Sequence, residues 1–267
     1  IIPSYIGYIF MRIGLIGNGA IARVVTSHCE KSTNKLSVVG SLGLVNDTES
    51  VGTHPIYTTI DPLLNLSPDI IVECAGKNAV KEYANLILSR GIDLVIISVG
   101  ALANDTLYRK LLSSCEKFSS RIFIPSGALG GLDVIESAKK DGLKKVFLRT
   151  TKHPNSWLGA PGVMNANLKS IKVSRTIFKG TAREAAILFP KNANVAASLG
   201  LSGIGMDKTN VELVADPNIK NNSHYLRAEG NFGKLEVSID AVPSPDNPKT
   251  SHLAALSIIN QLEKINL

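Results

Sequence analysis

The sequence predicts an α/β protein, with a doubly wound parallel sheet in its N-terminal half and a second, α+β domain after it. Three observations carry this. Short apolar runs alternate with helix-spaced segments over residues 12–124, the pattern of strands joined by crossover helices. A glycine-rich turn joins the first run to the first helical segment. Beyond residue 125 several runs switch to apolar–polar alternation, as in an antiparallel sheet with one wet face.

The elements follow in order. Residues 12–16 are rich in Ile and Leu, and a helical pattern starts at Val24 and Val25. Residues 36–44 and 69–74 are further strands, the latter continuously apolar, as a strand covered on both faces must be. Residues 79–90 place Val80, Tyr83, Ala84, Ile87 and Leu88 at helix spacing, and Gly91 follows as a C-cap. A strand at 94–99 precedes a helix at 105–115, with Leu107, Leu111 and Leu112 on one face, and a strand at 121–124 ends at Pro125. The second half reads as helices at 132–140, 181–188, 193–201 and 253–267, with strands at 146–152, 170–178, 211–215, 223–230 and 235–241. Residues 243–248 are turn-rich.

Composition narrows the class. With 44% apolar and 19% charged residues in 267, the chain can bury a sizeable core and does not read as disordered. The net charge is +7, but Lys and Arg are scattered, the densest runs being Lys139-Lys140 and Lys144-Lys145. There is no basic helix or aromatic-interleaved basic strand, so nucleic acid is not an expected partner. A site for anionic small molecules accounts for part of the excess. Cys29, Cys74 and Cys115 lie far apart without CxxC spacing, which indicates neither a metal site nor a disulfide framework and points to reduced thiols in the cytoplasm. The apolar stretch 1–10, ahead of Met11, is too short to cross a bilayer and lacks a basic n-region. It reads as an upstream extension or an edge element, and no membrane association is expected.

The turn has the spacing Gly17-x-Gly19-x-x-Ala22. Between a strand and a helix this is the dinucleotide fingerprint of a Rossmann-type sheet. Gly17 permits the tight turn, Gly19 lets a pyrophosphate approach the backbone, and Ala22 allows close helix–strand packing. Free N–H groups of Asn18, Ala20 and Ile21 at the helix start then face the anion. Residues 1–124 are accordingly a dinucleotide-binding domain, on which the terminal helix, 251–267, packs back. Residues 125–250 form the α+β substrate and dimerisation domain. The second strand lacks the acidic residue that would hold the ribose hydroxyls, ending in Gly40-Ser41-Leu42-Gly43 with Asp47 a little later. No Arg replaces it, so both NAD and NADP stay open as cofactor.

Five polar segments with Gly and Pro at the ends of apolar elements read as loops lining a cleft. They are Pro125-Ser126-Gly127-Ala128-Leu129-Gly130-Gly131, Thr150-Thr151-Lys152-His153-Pro154, Phe189-Pro190-Lys191-Asn192-Ala193-Asn194, Asn221-Asn222-Ser223-His224, and the PSPDNPKTS string from Pro243 to Ser251. Together with Val72-Glu73-Cys74-Ala75-Gly76 and Gly180-Thr181-Ala182-Arg183-Glu184, these strings resemble the aspartate dehydrogenase family from Met11 almost to the C-terminus. The resemblance implies NAD(P)-dependent oxidation of L-aspartate to iminoaspartate, which hydrolyses to oxaloacetate and ammonia or feeds NAD biosynthesis. It places the catalytic histidine at His224 and cofactor contacts at Ala128 and Asn194. Where many members have Asn-Thr before that histidine, this chain has Asn222-Ser223.

The residue chemistry agrees. Amine oxidation needs a proton acceptor with a pKa near working pH, which suits a histidine. Two substrate carboxylates need cations, for which Lys152 and Lys191 are candidates, with Asn192 beside them. His224 could instead be a strand histidine with a satisfied hydrogen bond, and His153 is the rival in the neighbouring loop. His28, His54 and His252 read as surface or capping residues. Asn192 and Asn194 also stand where they would cap the helix at 193–201. Cys74 reads as a packing residue. Two other functions fit the pattern: a two-domain reductase acting on another imine or semialdehyde, and a dinucleotide sensor without turnover.

Overall fold

The computed structural model describes residues 10–31, 35–43, 52–164, 167–244 and 247–266, with backbone only at 169, 243–244 and 247–250. Residues 1–9 and Asp47, which figure in the sequence reading, lie outside this set. The chain divides into two compact units, Ile1–Ile96 with Leu111–Phe123 and Ile258–Leu267, and Ile97–Lys110 with Ile124–Ser257.

The elements of the first half are β1 (Met11–Ile16), α1 (Ala20–Lys31), β2 (Leu36–Leu42), β3 (Ile56–Tyr57), α2 (Ile60–Asn65), β4 (Ile70–Glu73), α3 (Lys77–Ser89), β5 (Asp93–Ile96), α4 (Asp105–Phe118) and β6 (Ile122–Phe123). The six strands form one parallel sheet in the order β3-β2-β1-β4-β5-β6. Ile13, Leu15, Ile70, Ile71, Val72, Leu94 and Val95 are fully buried or nearly so, because helices cover both faces of such a sheet. On α1 the buried residues are Ala22, Val25, Thr26 and Cys29, one stripe at 3.6-residue spacing. Helix α3 ends as expected, with Gly91 at φ +74° in the left-handed region that only glycine adopts freely.

Some elements differ from the sequence pattern. The strand expected at 94–99 stops at Ile96, and Val99–Ala103 form a 3-10 turn. Pairing explains this, since β4 reaches no further than Glu73↔Ile96 and β6 no further than Phe123↔Val95. On α4 Leu111 is buried while Leu112, one residue round the helix, is exposed.

The second half contains α5 (Leu132–Ala138), β7 (Leu143–Lys152), β8 (Arg175–Thr181), α6 (Ala182–Leu188), α7 (Asn194–Ser202), β9 (Asn210–Ala215), β10 (Asn222–Gly230), β11 (Gly233–Ala241), β12 (Pro243–Ser244), β13 (Asn247–Ser251) and α8 (His252–Ile265). Its main sheet has the order β11-β10-β7-β9-β8. All neighbours are antiparallel except β7 and β9. Along β7, Val146, Leu148, Thr150 and Lys152 are buried and their alternates are not, so these four share the inner face. The strand expected at 170–178 begins only at Arg175, where pairing with β9 starts, and Val173 is exposed. It runs straight into α6 through a capping box. The Thr181 hydroxyl accepts from the Glu184 backbone N–H at 3.2 Å, and a Glu184 carboxylate oxygen accepts from the Thr181 N–H at 2.7 Å. In the stretch 243–248, read as turn-rich, Pro243–Ser244 form β12 and pair with β13, Asn247–Ser251.

Candidate active site

Two sets of residues stand out, one in each unit. In the first, β1 and β4 are adjacent although β2 and β3 lie on the other side of β1. That is a topological switch point, where open α/β sheets bind ligands beyond the strand ends. Gly17 follows β1, with φ +109°, and its N–H donates to the Leu42 carbonyl at 2.8 Å. A Cβ there would sit 3.1 Å from the backbone of Cys74 and Ala75, so the chain can turn here only as glycine. At Gly19 a Cβ would meet nothing within 4 Å. The space over the start of α1 is therefore open, as a cradle for a pyrophosphate must be. Asn18, Ala20 and Ile21 complete the turn into α1.

The contrast between the two glycines makes a testable case. Gly19→Val should fold with wild-type thermal stability but fill the cradle. Losing two charge-assisted hydrogen bonds to the pyrophosphate, at about 1.5 kcal/mol each, weakens cofactor binding by about 100-fold. Titration of intrinsic fluorescence with NADH and NADPH checks this, and unchanged affinity would remove the loop from the site.

Near this loop the buried Glu73 carboxylate accepts from the Ala75 and Gly76 N–H groups at 2.9 and 2.7 Å. It shapes the β4–α3 turn. The Cys74 thiol donates to the Ile16 carbonyl at 3.3 Å, and burial pushes its pKa up, so it stays a thiol. At the end of β2 the structure corrects one expectation. His54 is not a surface residue: it is 9% exposed, with Nε2 2.5 Å from the Ser41 hydroxyl. Burial lowers its pKa and keeps the ring neutral against the strand. Nothing in the sequence around His54 signals this pairing with a residue 13 positions earlier. His28 is half-exposed with Nε2 3.0 Å from Glu263, and His252 opens α8.

The second set lies on the inner face of the five-stranded sheet. His224 on β10 is directly opposite Thr150 on β7. It is 3% exposed, and its Nδ1 is 3.0 Å from the Thr150 hydroxyl oxygen. Lys152, two residues along β7 on the same face, is diagonal to His224, a relation that puts Cα atoms about 7–8 Å apart. Lys152 is 6% exposed, with Nζ donating to Asn192 Oδ1 at 3.4 Å and lying 5.8 Å from the centre of the Trp157 ring. Trp157 is fully buried, and its indole N–H donates to the Val214 carbonyl at 3.2 Å. The ring thereby forms a fixed wall beside the ammonium.

Burial governs the charges here. It lowers the Lys152 pKa to about 8, because a charged ammonium loses its hydration without a carboxylate partner. His224 falls to about 3, from burial first and the Lys152 charge second, so the imidazole is neutral at ordinary pH. The sign for stability follows. Between pH 6.5 and 3 the unfolded chain binds a proton at this histidine and the folded chain does not, so stability falls as pH falls through that window. Wild type should lose about 2 kcal/mol more than His224→Gln between about pH 7 and about pH 5, measured by urea unfolding. Equal losses would mean that His224 is not buried neutral.

Of the other expected site residues, Asn192 and Lys191 lie in the turn between α6 and α7, the first buried and the second exposed. The structure thus joins Asn192 to Lys152 but leaves Lys191 in solvent. Neither Asn192 nor Asn194 caps its helix: α7 starts at Asn194 with Ala193 as an N-cap that makes no side-chain cap bond. Both carbonyl oxygens are committed elsewhere, Asn194 Oδ1 accepting from the Gly100 N–H at 3.1 Å. Ala128 is 5% exposed in a turn whose Gly127 N–H donates to the Ser257 hydroxyl at 3.1 Å. His153 turns inward on its own loop, its Nδ1 accepting from the Asn155 N–H at 3.3 Å. Thr150 and Trp157 were not singled out from sequence, because their place at the site depends on the pairing of β7 with β10 and the fold of the following loop.

This geometry agrees with what the chain is similar to. The family model for the NAD-binding domain of homoserine dehydrogenase matches residues 13–125, which contain the glycine turn and the parallel strands. Fold and turn together make the chain an NAD(P)-dependent oxidoreductase. The family model for the C-terminal domain of aspartate dehydrogenase matches residues 133–265, from α5 to α8. An L-aspartate dehydrogenase of Acinetobacter baumannii is 39% identical over 96% of this chain and 99% of its own. One from Nitrosopumilus maritimus is 45% identical over 81% of this chain and 80% of its own. The crystal structure of aspartate dehydrogenase from Thermotoga maritima superposes with a TM-score of 0.77 at 30% identity, over 96% of each chain. The chain belongs to the L-aspartate dehydrogenase family.

Proposed function

We propose that this protein oxidises L-aspartate to iminoaspartate with NAD or NADP. The observation that carries the reading is the buried Lys152 on one sheet face with His224 and Asn192. An ammonium this buried, bonded only to a neutral amide among the described residues, is set up to receive an anion. Lys152, with Asn192, binds a substrate carboxylate, and Lys191 binds the other from the exposed turn. The nicotinamide, when bound, supplies the acceptor for the hydride from the substrate Cα. Gly17, Asn18, Gly19, Ala20 and Ile21 hold the dinucleotide, with further contacts at Ala128 and Asn194.

His224 is the acid/base group. Burial is the larger cause of its low basicity and the Lys152 charge the smaller. A substrate carboxylate beside Lys152 offsets the second of these, which raises the histidine pKa by that part. The imidazole then takes a proton from the substrate ammonium, or from the water that attacks the imine. The product imine hydrolyses to oxaloacetate and ammonia or is passed on to NAD biosynthesis.

The domain roles follow the same reading: residues 1–124 bind the dinucleotide, and residues 125–250 carry the substrate site and a homodimer interface. Three free cysteines and the absence, among the described residues, of a helix able to cross a membrane support a cytoplasmic setting.

The direct test follows absorbance of reduced nicotinamide with purified protein, L-aspartate and NAD or NADP. Aspartate-dependent reduction with ammonia release is expected. No reduction, together with no oxidation of NADH or NADPH by oxaloacetate plus ammonium, would overturn the substrate assignment.

A further inference from the structure

We infer that Thr150 is the positioning residue of this site: its hydroxyl holds His224 at Nδ1 and so makes Nε2 the nitrogen that exchanges the proton. The inference rests on the proposed acid/base role of His224. Thr150 and His224 are direct cross-strand partners, and Thr150 Oγ1 lies 3.0 Å from Nδ1. Both residues are buried, Thr150 completely. A threonine in a strand is stiff at χ1, so the hydroxyl stays aimed at the ring. Among the described residues this bond is the hydroxyl's only partner, and Nε2 has none.

The choice of a hydroxyl has a chemical consequence. A carboxylate at Nδ1 would hold the ring as imidazolium, as the charged partner favours the charged form. A hydroxyl is both donor and acceptor. It donates to Nδ1 when the proton is on Nε2, and by rotating about its C–O bond it accepts from Nδ1–H when Nε2 is bare or when the ring is doubly protonated. Thr150 thus orients the ring in every protonation state without fixing its charge. That suits a histidine that must take up and release a proton in each turnover. A valine has the same shape and offers neither donor nor acceptor.

The test compares Thr150→Val with Thr150→Ser. In Thr150→Val, kcat falls about tenfold or more while KM for aspartate and NAD(P)H affinity stay near wild type, the usual scale for losing an orienting partner. The acid limb of its kcat–pH profile moves. Thr150→Ser restores both kcat and the profile. Loss in Thr150→Ser beside wild-type kcat in Thr150→Val would mean that Thr150 acts through its methyl group and packing, and would overturn the inference, as would equal losses in the two variants. Should the valine variant fail to fold, histidine-labelled wild type decides by 15N NMR. Adding aspartate should move the His224 Nε2 resonance by more than Nδ1, and the reverse order overturns the inference. A His224→Ala enzyme with full activity would instead remove the acid/base reading itself. Loss in His224→Ala beside full activity in Thr150→Val would remove only the role of Thr150.

Discussion

Replacing His224 with alanine is expected to lower kcat by about 100-fold or more and to leave NAD(P)H affinity unchanged. The two parts of that expectation have different structural sources. The proposed proton-transfer group sits on β10, in the unit of the five-stranded sheet. The glycine turn proposed to hold the dinucleotide belongs to the parallel sheet. His224 is also 3% exposed and directly opposite Thr150, so alanine leaves a cavity there. Some loss of stability is therefore expected alongside the loss of rate, and His224→Gln separates them by filling most of the volume without a titrating nitrogen. Steady-state kinetics with aspartate and fluorescence titration with NADH check the pair. Wild-type kcat in both variants would show that another group moves the proton, and His153, next to Lys152 in the sequence, would become the first residue to examine.

The second large effect runs in opposite directions for activity and stability. Lys152→Met should reduce kcat/KM for aspartate by at least about 100-fold, since a buried cation–carboxylate pair lost from one side costs about 3 kcal/mol or more. The same change should stabilise the folded protein. The folded Lys152 has its pKa at about 8 against 10.5 for the free side chain. Between these values the unfolded chain binds a proton that the folded chain does not, so wild-type stability rises with pH through that window. Below it the folded chain carries the full cost of a buried ammonium, about 3 kcal/mol. Methionine matches the aliphatic stem and removes that cost. The gain should be largest below about pH 8 and vanish above about pH 10.5, as read from urea unfolding across pH. A variant no more stable than wild type at neutral pH would show that the ammonium is already compensated. The position would then belong to the structure rather than to the substrate. A site that costs stability when empty is what a binding cation in a dry pocket entails.

The order and type of most elements were legible in the sequence, for a local reason. Strand runs such as residues 69–74 and helix stripes such as Val80, Ala84, Ile87 and Leu88 encode their burial in their own periodicity. Gly17 takes a backbone conformation that few other residues adopt, and with Gly19 and Ala22 at their spacing the place of the turn between β1 and α1 followed from three letters and their context. The two-residue strands β3 and β6 and the six-residue α2 are too short for a period to show. Only β6 was anticipated, from its position before Pro125. The end of β5 and the start of β8 depended on partner strands, which no local pattern reveals.

The side chains of the proposed site divide the same way. The sequence by itself determined which polar side chains stand in loops and at strand ends: Lys152, Lys191 and Asn192 were named from it as substrate contacts, and His224 through the family resemblance that its strings carry. Tertiary structure decided which of them meet. Strand register put Thr150 against His224 and Lys152 on the same inner face, while the turn between α6 and α7 left Lys191 exposed one residue from the buried Asn192. The fold of the loop before β3 buried His54 against Ser41 across 13 residues of sequence. A pKa or a hydrogen bond is a property of what surrounds a group, and those surroundings come from segments distant in sequence. The chain's local patterns specify the elements and the reactive groups, while desolvation and cross-strand pairing, which exist only in the folded state, set their charge and their partners.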